Sequence, residues 1–259
     1  MCLFAVLGTV SGAHIVKKGD TLYSIARANG VTVKNLMAVN GIKDPTKVAI
    51  GKRLTIPKKG GATAKKVGLK TTTSVRRAPA SRSLTVILDP GHGGRDRGAN
   101  YGGVRESDLN LKTAQKAAWY LKRAGYRVVM TRQSDRYVSL SGRAAIANRY
   151  RNAIFVSIHY NASRASSARG GETFYAGSKR GKYLAAGIQR GLVGNCRLKN
   201  RGVRYGRFTV LHQTNCPAVL VECGFISNSY ERSRCKTSSF QDAAARAILS
   251  GVQRYDRVY

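Results

Sequence analysis

Beyond residue 83 the chain alternates short apolar runs with longer stretches in which apolar residues return every three or four positions. The runs at 84–88, 126–131, 153–158, 173–175, 208–211 and 218–221 are rich in β-branched or aromatic residues and predict strands. Residues 107–124 set Leu111, Ala114, Ala117, Ala118 and Leu121 on one stripe and halt at Gly125, and residues 240–255 repeat the pattern with Ala244, Ala247, Ile248 and Val252. Both predict helices, with a third near 179–193, while 161–171 and 200–205 read as loops. The alternation predicts an α/β fold, a mostly parallel twisted sheet flanked by helices.

Residues 14–57 have a different rhythm. Their β-rich ends at 14–16 and 53–56 enclose two short helical patterns. One carries Leu22, Ile25 and Ala26 from an Asp20 cap to Gly30, and the other carries Leu36 and Val39 from a Thr32 cap to Asn40 and Gly41. This predicts a small βααβ module, suited by size to binding rather than catalysis. Residues 58–83 hold eight basic residues and no acidic ones, the composition of an extended, mobile linker. Residues 1–13 place an apolar run ahead of Ser11, Gly12 and Ala13, as in a truncated export signal lacking its basic start; an apolar N-terminal strand is the other reading. The chain thus divides into 1–13, 14–57, 58–83 and 84–259.

Charge narrows the choice of partner. The 259 residues hold 46 Lys plus Arg against 12 Asp plus Glu, a formal +34. Both globular segments share the excess, with eight basic against two acidic residues in 14–57 and thirty against ten in 84–259. Such a surface attracts polyanions: nucleic acid, an acidic membrane face or an anionic wall polymer. Zinc-finger spacing, an RNP motif and a basic region joined to heptads are all missing, so nucleic acid is not the expected partner. No run of eighteen apolar residues is present to form a transmembrane helix. A monomer is expected. Cys196, Cys216, Cys223 and Cys235 allow three disulfide pairings in an exported chain, or remain as buried thiols.

The chemistry sits at the predicted carboxyl ends of the strands, where open α/β sheets place their sites. His92 follows LTVILDPG, His159 ends AIFVSIH, and Glu222 ends AVLVE, in a chain with only four histidines. Glu106 comes after the glycine-rich GHGGRDRGANYGG, which is pliant enough to return it to His92. Two imidazoles and a carboxylate form a catalytic zinc set, and a further carboxylate can take a proton from water during attack on an amide carbonyl. Each residue also has a plainer reading, the histidines as hydrogen-bonded rim residues and Glu106 as a charge favoured at a helix N-terminus. Glu222 fits a plain reading less well, because a glutamate closing an apolar strand is buried without a cation. Asp89 either orients a zinc-binding imidazole or starts the loop. Arg132, Asp135, Arg143 and Asn148 read as scaffold.

Two resemblances sharpen these readings. GDTLYSIA, LMAVNGI and GKRLTIP make residues 14–57 similar to a LysM module. That resemblance implies binding of the N-acetylglucosamine-containing glycan of peptidoglycan or chitin through Gly19, Asp20, Thr21, Leu22, Asn40, Gly41 and Ile42. LDPGHGGRDRGA, RESDLNL, VVMTRQSDRYVSLSGRAAIAN, FVSIHYNA, NRGVRYGRFTVL and PAVLVECGFISN resemble the zinc-dependent N-acetylmuramoyl-L-alanine amidases of cell division and sporulation. This second resemblance implies Zn2+ held by His92, Glu106 and His159, with Glu222 as the catalytic carboxylate. It also implies peptidoglycan as substrate and an extracytoplasmic, wall-associated location. His212 stands where such sequences carry Arg or Lys and is expected at the surface. A stem-peptide carboxypeptidase and a non-catalytic wall-binding protein are the rival functions. Between His159 and Glu222 the chain is too short for an additional covering helix, so an open groove is expected.

Overall fold

The computed structural model describes residues 10–17, 20, 22–42, 48–57 and 82–259. Most of the expected export segment, nearly all of the expected linker, Gly19 and Thr21 lie outside the described residues. The chain forms two compact units, residues 1–73 and 74–259.

In the smaller unit, β1 (Val10–Ile15) pairs antiparallel with β2 (Arg53–Pro57), and α1 (Leu22–Ala28) and α2 (Val33–Val39) lie between them in sequence. Val16, Leu22, Ile25, Leu36, Leu54 and Ile56 make its core. Thr32 caps α2 by accepting from the Asn35 amide at 3.1 Å. Helix α1 starts at Leu22, and Asp20 is spent elsewhere, accepting from the Lys17 amide at 2.9 Å and facing His14 Nε2 at 2.7 Å. Strand β1 begins at Val10, so the last residues of the expected export segment belong to the sheet, as in the alternative strand reading.

The larger unit runs β3 (Thr85–Pro90), a short hairpin of β4 (Asn100–Tyr101) and β5 (Val104–Arg105), α3 (Glu106–Arg123), β6 (Arg127–Met130), α4 (Leu140–Ala147) and β7 (Ala153–Asn161). It continues through β8 (Gly171–Tyr175), α5 (Lys179–Cys196), β9 (Asn200–Tyr205), α6 (Thr209–His212), β10 (Ala218–Phe225), α7 (Ser229–Cys235) and α8 (Ser238–Asp256). Six strands form one sheet in the order β6-β3-β7-β10-β8-β9, parallel throughout except where β8 meets β10.

Alternation along the central strands sends successive side chains to opposite faces. Leu88, Val156, Ile158, Val219 and Val221 face α3, α5 and α8, which cover that side completely. Helices α5 and α8 approach closely because a Cβ on Gly191 would lie 2.8 Å from Ala247 Cα. On the other face Ile87, Phe155 and Leu220 pack against Ala147 of α4 and Val210 and Leu211 of α6. Further along the same strands this face carries Asp89, Ser157, His159 and Glu222 instead of apolar residues.

Two elements exchange type relative to the sequence pattern. Residues 208–211 are not a strand: α6 occupies them, and consecutive Val210 and Leu211 both bury toward the same apolar cluster, which a strand would not allow. The expected loop at 200–205 is β9, an edge strand whose polar, glycine-containing sequence suits partial exposure. The four described cysteines are free thiols. Burial pushes Cys196 up to about 12 and Cys216 up to about 11, so these thiols are inert at neutral pH.

Candidate metal centre

Three strand ends and one helix start converge on the bare half of the sheet. His159 lies near the end of β7, directly beside Glu222 of β10 in the parallel ladder. His92 follows β3 by two residues, and Glu106 opens α3. The glycines explain the close approach. A Cβ on Gly91 would sit 2.1 Å from His159 Cε1, and one on Gly98 would sit 2.6 Å from both Glu106 Oε2 and His92 Cδ2. Only hydrogen at these positions lets the two imidazoles and the carboxylate share one space.

His92 itself is left-handed, with φ of 58°, a conformation that L-residues with a side chain adopt at a cost of about 1 kcal/mol or more. Two buried arginines hold it there. Arg132 donates to the carbonyls of Pro90, Gly91 and Ser107 at 2.8–2.9 Å. Arg143 donates to Asp89 Oδ1 and Pro90 O, both at 2.7 Å, and to His92 O at 2.8 Å. Both arginines are therefore scaffold, as the sequence suggests, and what they support is the backbone beneath His92. Asp135 and Asn148 serve likewise, accepting from the Gly94 amide and donating to Gln213 O, each at 2.8 Å.

The candidate ligand atoms of His92, Glu106 and His159 all lie within 4.8 Å of one another. Glu106 sits between the imidazoles, with Oε1 2.8 Å from His159 Nδ1 and Oε2 3.2 Å from His92 Nε2. Burial works to raise the Glu106 carboxyl, but the hydrogen bonds from His159 and His92 outweigh it and hold the group well below the usual carboxylate range. Burial works to lower His92, and the bonds to Glu106 and Asp96 reverse that into a net rise. A deep carboxylate wrapped by two imidazoles on a strained, strapped backbone is a donor set of the kind that suits zinc.

The residue orienting an imidazole is Asp96, whose Oδ2 lies 2.8 Å from His92 Nδ1. Its signal was available as an aspartate four positions after His92 in a tight glycine loop. Asp89 neither touches a histidine nor merely starts a loop. It accepts from Thr131 at 2.6 Å, from Ser157 at 2.7 Å and from Arg143, and so ties β3, β7 and α4 together.

Glu222 is different from every other carboxylate of the larger unit. The residue is half-buried, yet its Oε2 is closed to solvent and has no hydrogen-bond partner. Burial, followed by the charges of Glu106 and Glu172, pushes its carboxyl well above the ordinary range. A cavity of about 80 Å³ opens beside the cluster among Gly91, His92, Tyr137, Arg143 and His159. A larger cavity, about 310 Å³, lies at the amino end of β10 between Arg180 and Cys216 and contains none of these groups. His212 is exposed on α6, as expected, with Nε2 3.5 Å from Tyr205 OH.

In the smaller unit the expected glycan residues split by role. Leu22 is buried in the core, and Ile42 packs against it. The Asn40 side chain is consumed by the fold, donating to Leu36 O and Thr55 O and accepting from the Thr55 amide at 2.7–2.8 Å. Gly41 is exposed with φ of 61°.

Comparison with known proteins follows the same division. Residues 86–254 match the family model described as N-acetylmuramoyl-L-alanine amidase, and residues 14–57 match that of the LysM domain. The Bacillus subtilis protein YqiI is 37% identical over 174 residues, covering 66% of this chain and 84% of that one. The N-acetylmuramoyl-L-alanine amidase LytC of the same organism is 38% identical over 179 residues, covering 67% of this chain but 36% of LytC. The crystal structure of an N-acetylmuramoyl-L-alanine amidase from Clostridium difficile 630 superposes with a TM-score of 0.65 at 38% identity, covering 68% of this chain and 97% of that one.

Proposed function

The chain belongs to the N-acetylmuramoyl-L-alanine amidase family and carries a LysM domain ahead of the family's catalytic unit, and on that premise we propose that it hydrolyses the amide between the lactyl group of N-acetylmuramic acid and the L-alanine of the peptidoglycan stem peptide. The observation that carries the reading is the meeting of His92, Glu106 and His159 beside a glutamate oxygen that nothing in the fold satisfies.

His92, Glu106 and His159 would hold a single zinc ion. When bound, it polarises the scissile carbonyl and acidifies a water molecule. Asp96 fixes the tautomer and orientation of His92, and Arg132 and Arg143 keep its backbone in place. The Glu222 carboxylate takes the proton from the attacking water and delivers it to the departing alanine nitrogen. Its raised affinity for a proton suits the second half of that transfer.

The LysM domain tethers the enzyme to glycan, with backbone groups and Gly41 contributing where Leu22 and Asn40 have their side chains turned to the fold. Asp20 and Gly41, together with Gly19 and Thr21, remain the glycan-facing candidates. A tether of this kind supports a location outside the cytoplasm, on the wall, where anionic polymers would meet the basic surface. Between His159 and Glu222 lie β8, α5, β9 and α6, and each contributes to the sheet or to its packed layers. Residues 84–259 should therefore act without a displacing partner.

Digestion of purified peptidoglycan followed by mass analysis tests the reading. Free stem peptides with glycan strands of unchanged length are expected. Trimmed peptides would indicate a carboxypeptidase, and no release at all a wall-binding protein.

A further inference from the structure

A row of charged side chains continues from the metal centre to the sheet edge. Glu222 is paired in register with His159 on one side and with Glu172 of β8 on the other, so all three point to the same face. Glu172 is buried, and Asn161 donates to its Oε1 at 2.7 Å. Beyond it lie Arg201 and Arg204 of β9, with Nε atoms 3.4 Å and 3.5 Å from the two Glu172 oxygens.

In a regular strand, residues three apart face opposite ways. Here they share one carboxylate because β9 bulges. Gly171 and Thr173 of β8, two apart, pair with Asn200 and Val203 of β9, three apart, and the extra residue is accommodated at Gly202 with φ of 92°. Bulges of this kind re-aim side chains beside functional sites.

The cluster carries an excess of positive charge, two guanidinium groups to one carboxylate. Neither contact has the 2.7–2.9 Å length typical of a charge-assisted hydrogen bond. Arg201 Nε is buried without a hydrogen-bond partner, while its guanidinium rests over the Phe225 ring at 4.9 Å. Arg204 keeps 56% of its side chain exposed. Both guanidinium groups are thus held beside Glu172 without a short contact to it, about two strand spacings, or roughly 10 Å, from the Glu222 strand.

We propose that Arg201 and Arg204, positioned by Glu172, form a subsite for a carboxylate on the peptide leaving group, close to the scissile amide. The inference rests on the amidase reading and adds a specificity determinant to it. The glycan side offers no competing anion, because the carboxyl of N-acetylmuramic acid is the one already engaged in the amide. An extended peptide advances about 3.3 Å per residue, so the reach of an arginine from β9 falls on the first residues after alanine.

The test compares two soluble muramyl peptides that differ only in bearing a carboxylate or a carboxamide on the residue after alanine, using the full chain loaded with zinc. Wild type should favour the carboxylate substrate by about tenfold in kcat/KM, mainly through KM. Arg204→Gln should bring the ratio toward one, and Arg204→Lys should keep part of it. A wild-type ratio of one, or a ratio unchanged in Arg204→Gln because both substrates slow equally, overturns the subsite while leaving the amidase reading intact. Failure of wild type to cleave either substrate defeats the amidase reading itself and the subsite with it.

Discussion

Two carboxylates stand near the carboxyl ends of β3 and β10, on the same face of one sheet, in opposite surroundings. Asp89 is fully buried and fully answered, by Thr131, Ser157 and Arg143. Glu222 has an oxygen that is equally closed to solvent and answered by nothing. A buried charge with a complete shell stabilises its neighbourhood, whereas a buried carboxylate without one costs stability and stays ready to bind a proton. The first carboxylate holds strands and helix in register, and the second is the one we propose acts on substrate.

The largest effect that sharpens this contrast is on turnover. Glu222→Gln should reduce peptidoglycan cleavage by about 10³-fold while zinc content, measured on the purified protein, stays at wild-type stoichiometry. Substantial remaining activity would move the base elsewhere. Next in size is Asp89→Ala, which strands the Arg143 guanidinium and should destabilise the larger unit by about 3–5 kcal/mol in denaturant unfolding, whether or not substrate is present.

A smaller effect is expected at Gly91. Gly91→Ala drives a methyl into the His159 ring, and competition with a chelator should show zinc affinity reduced by about 10–100-fold. The smallest effect reverses the usual sign. Glu222 has a folded-state pKa raised above its unfolded value, so it costs nothing below the unfolded value near 4.5 and destabilises the fold as pH rises above it. In zinc-free protein Glu222→Gln should therefore be more stable than wild type by about 1–2 kcal/mol at pH 7, with the gain vanishing below pH of about 4. Equal stability at both pH values would mean that the Glu222 oxygen is solvated after all.

The strands that carry His159 and Glu222 were legible because both are buried on two faces and open on apolar runs, so that a following His or Glu stands out. The edge was not legible. Strand β9 is polar and contains Gly202, and its pairing depends on a bulge that no periodicity announces. Residues 208–211 misled in the other direction, since Phe208, Thr209 and Val210 have strand propensity but Val210 and Leu211 are claimed by packing against α4. The same limit applied to the second carboxylate of His92. Asp89 stands near a strand end and attracted the role, whereas Asp96 reaches His92 through an intervening loop in which Gly93 and Gly94 take positive φ angles.

The bulge in β9 has a consequence for the chain's behaviour in a crowded wall. An outermost strand with a regular ladder of free amides and carbonyls is a template for another polypeptide. In β9 the ladder is broken at Gly202 and flanked by Arg201 and Arg204, so a second copy arriving edge to edge meets an interrupted register and like charge. The irregularity that turns two arginines toward Glu172 also leaves this edge a poor template for a further strand.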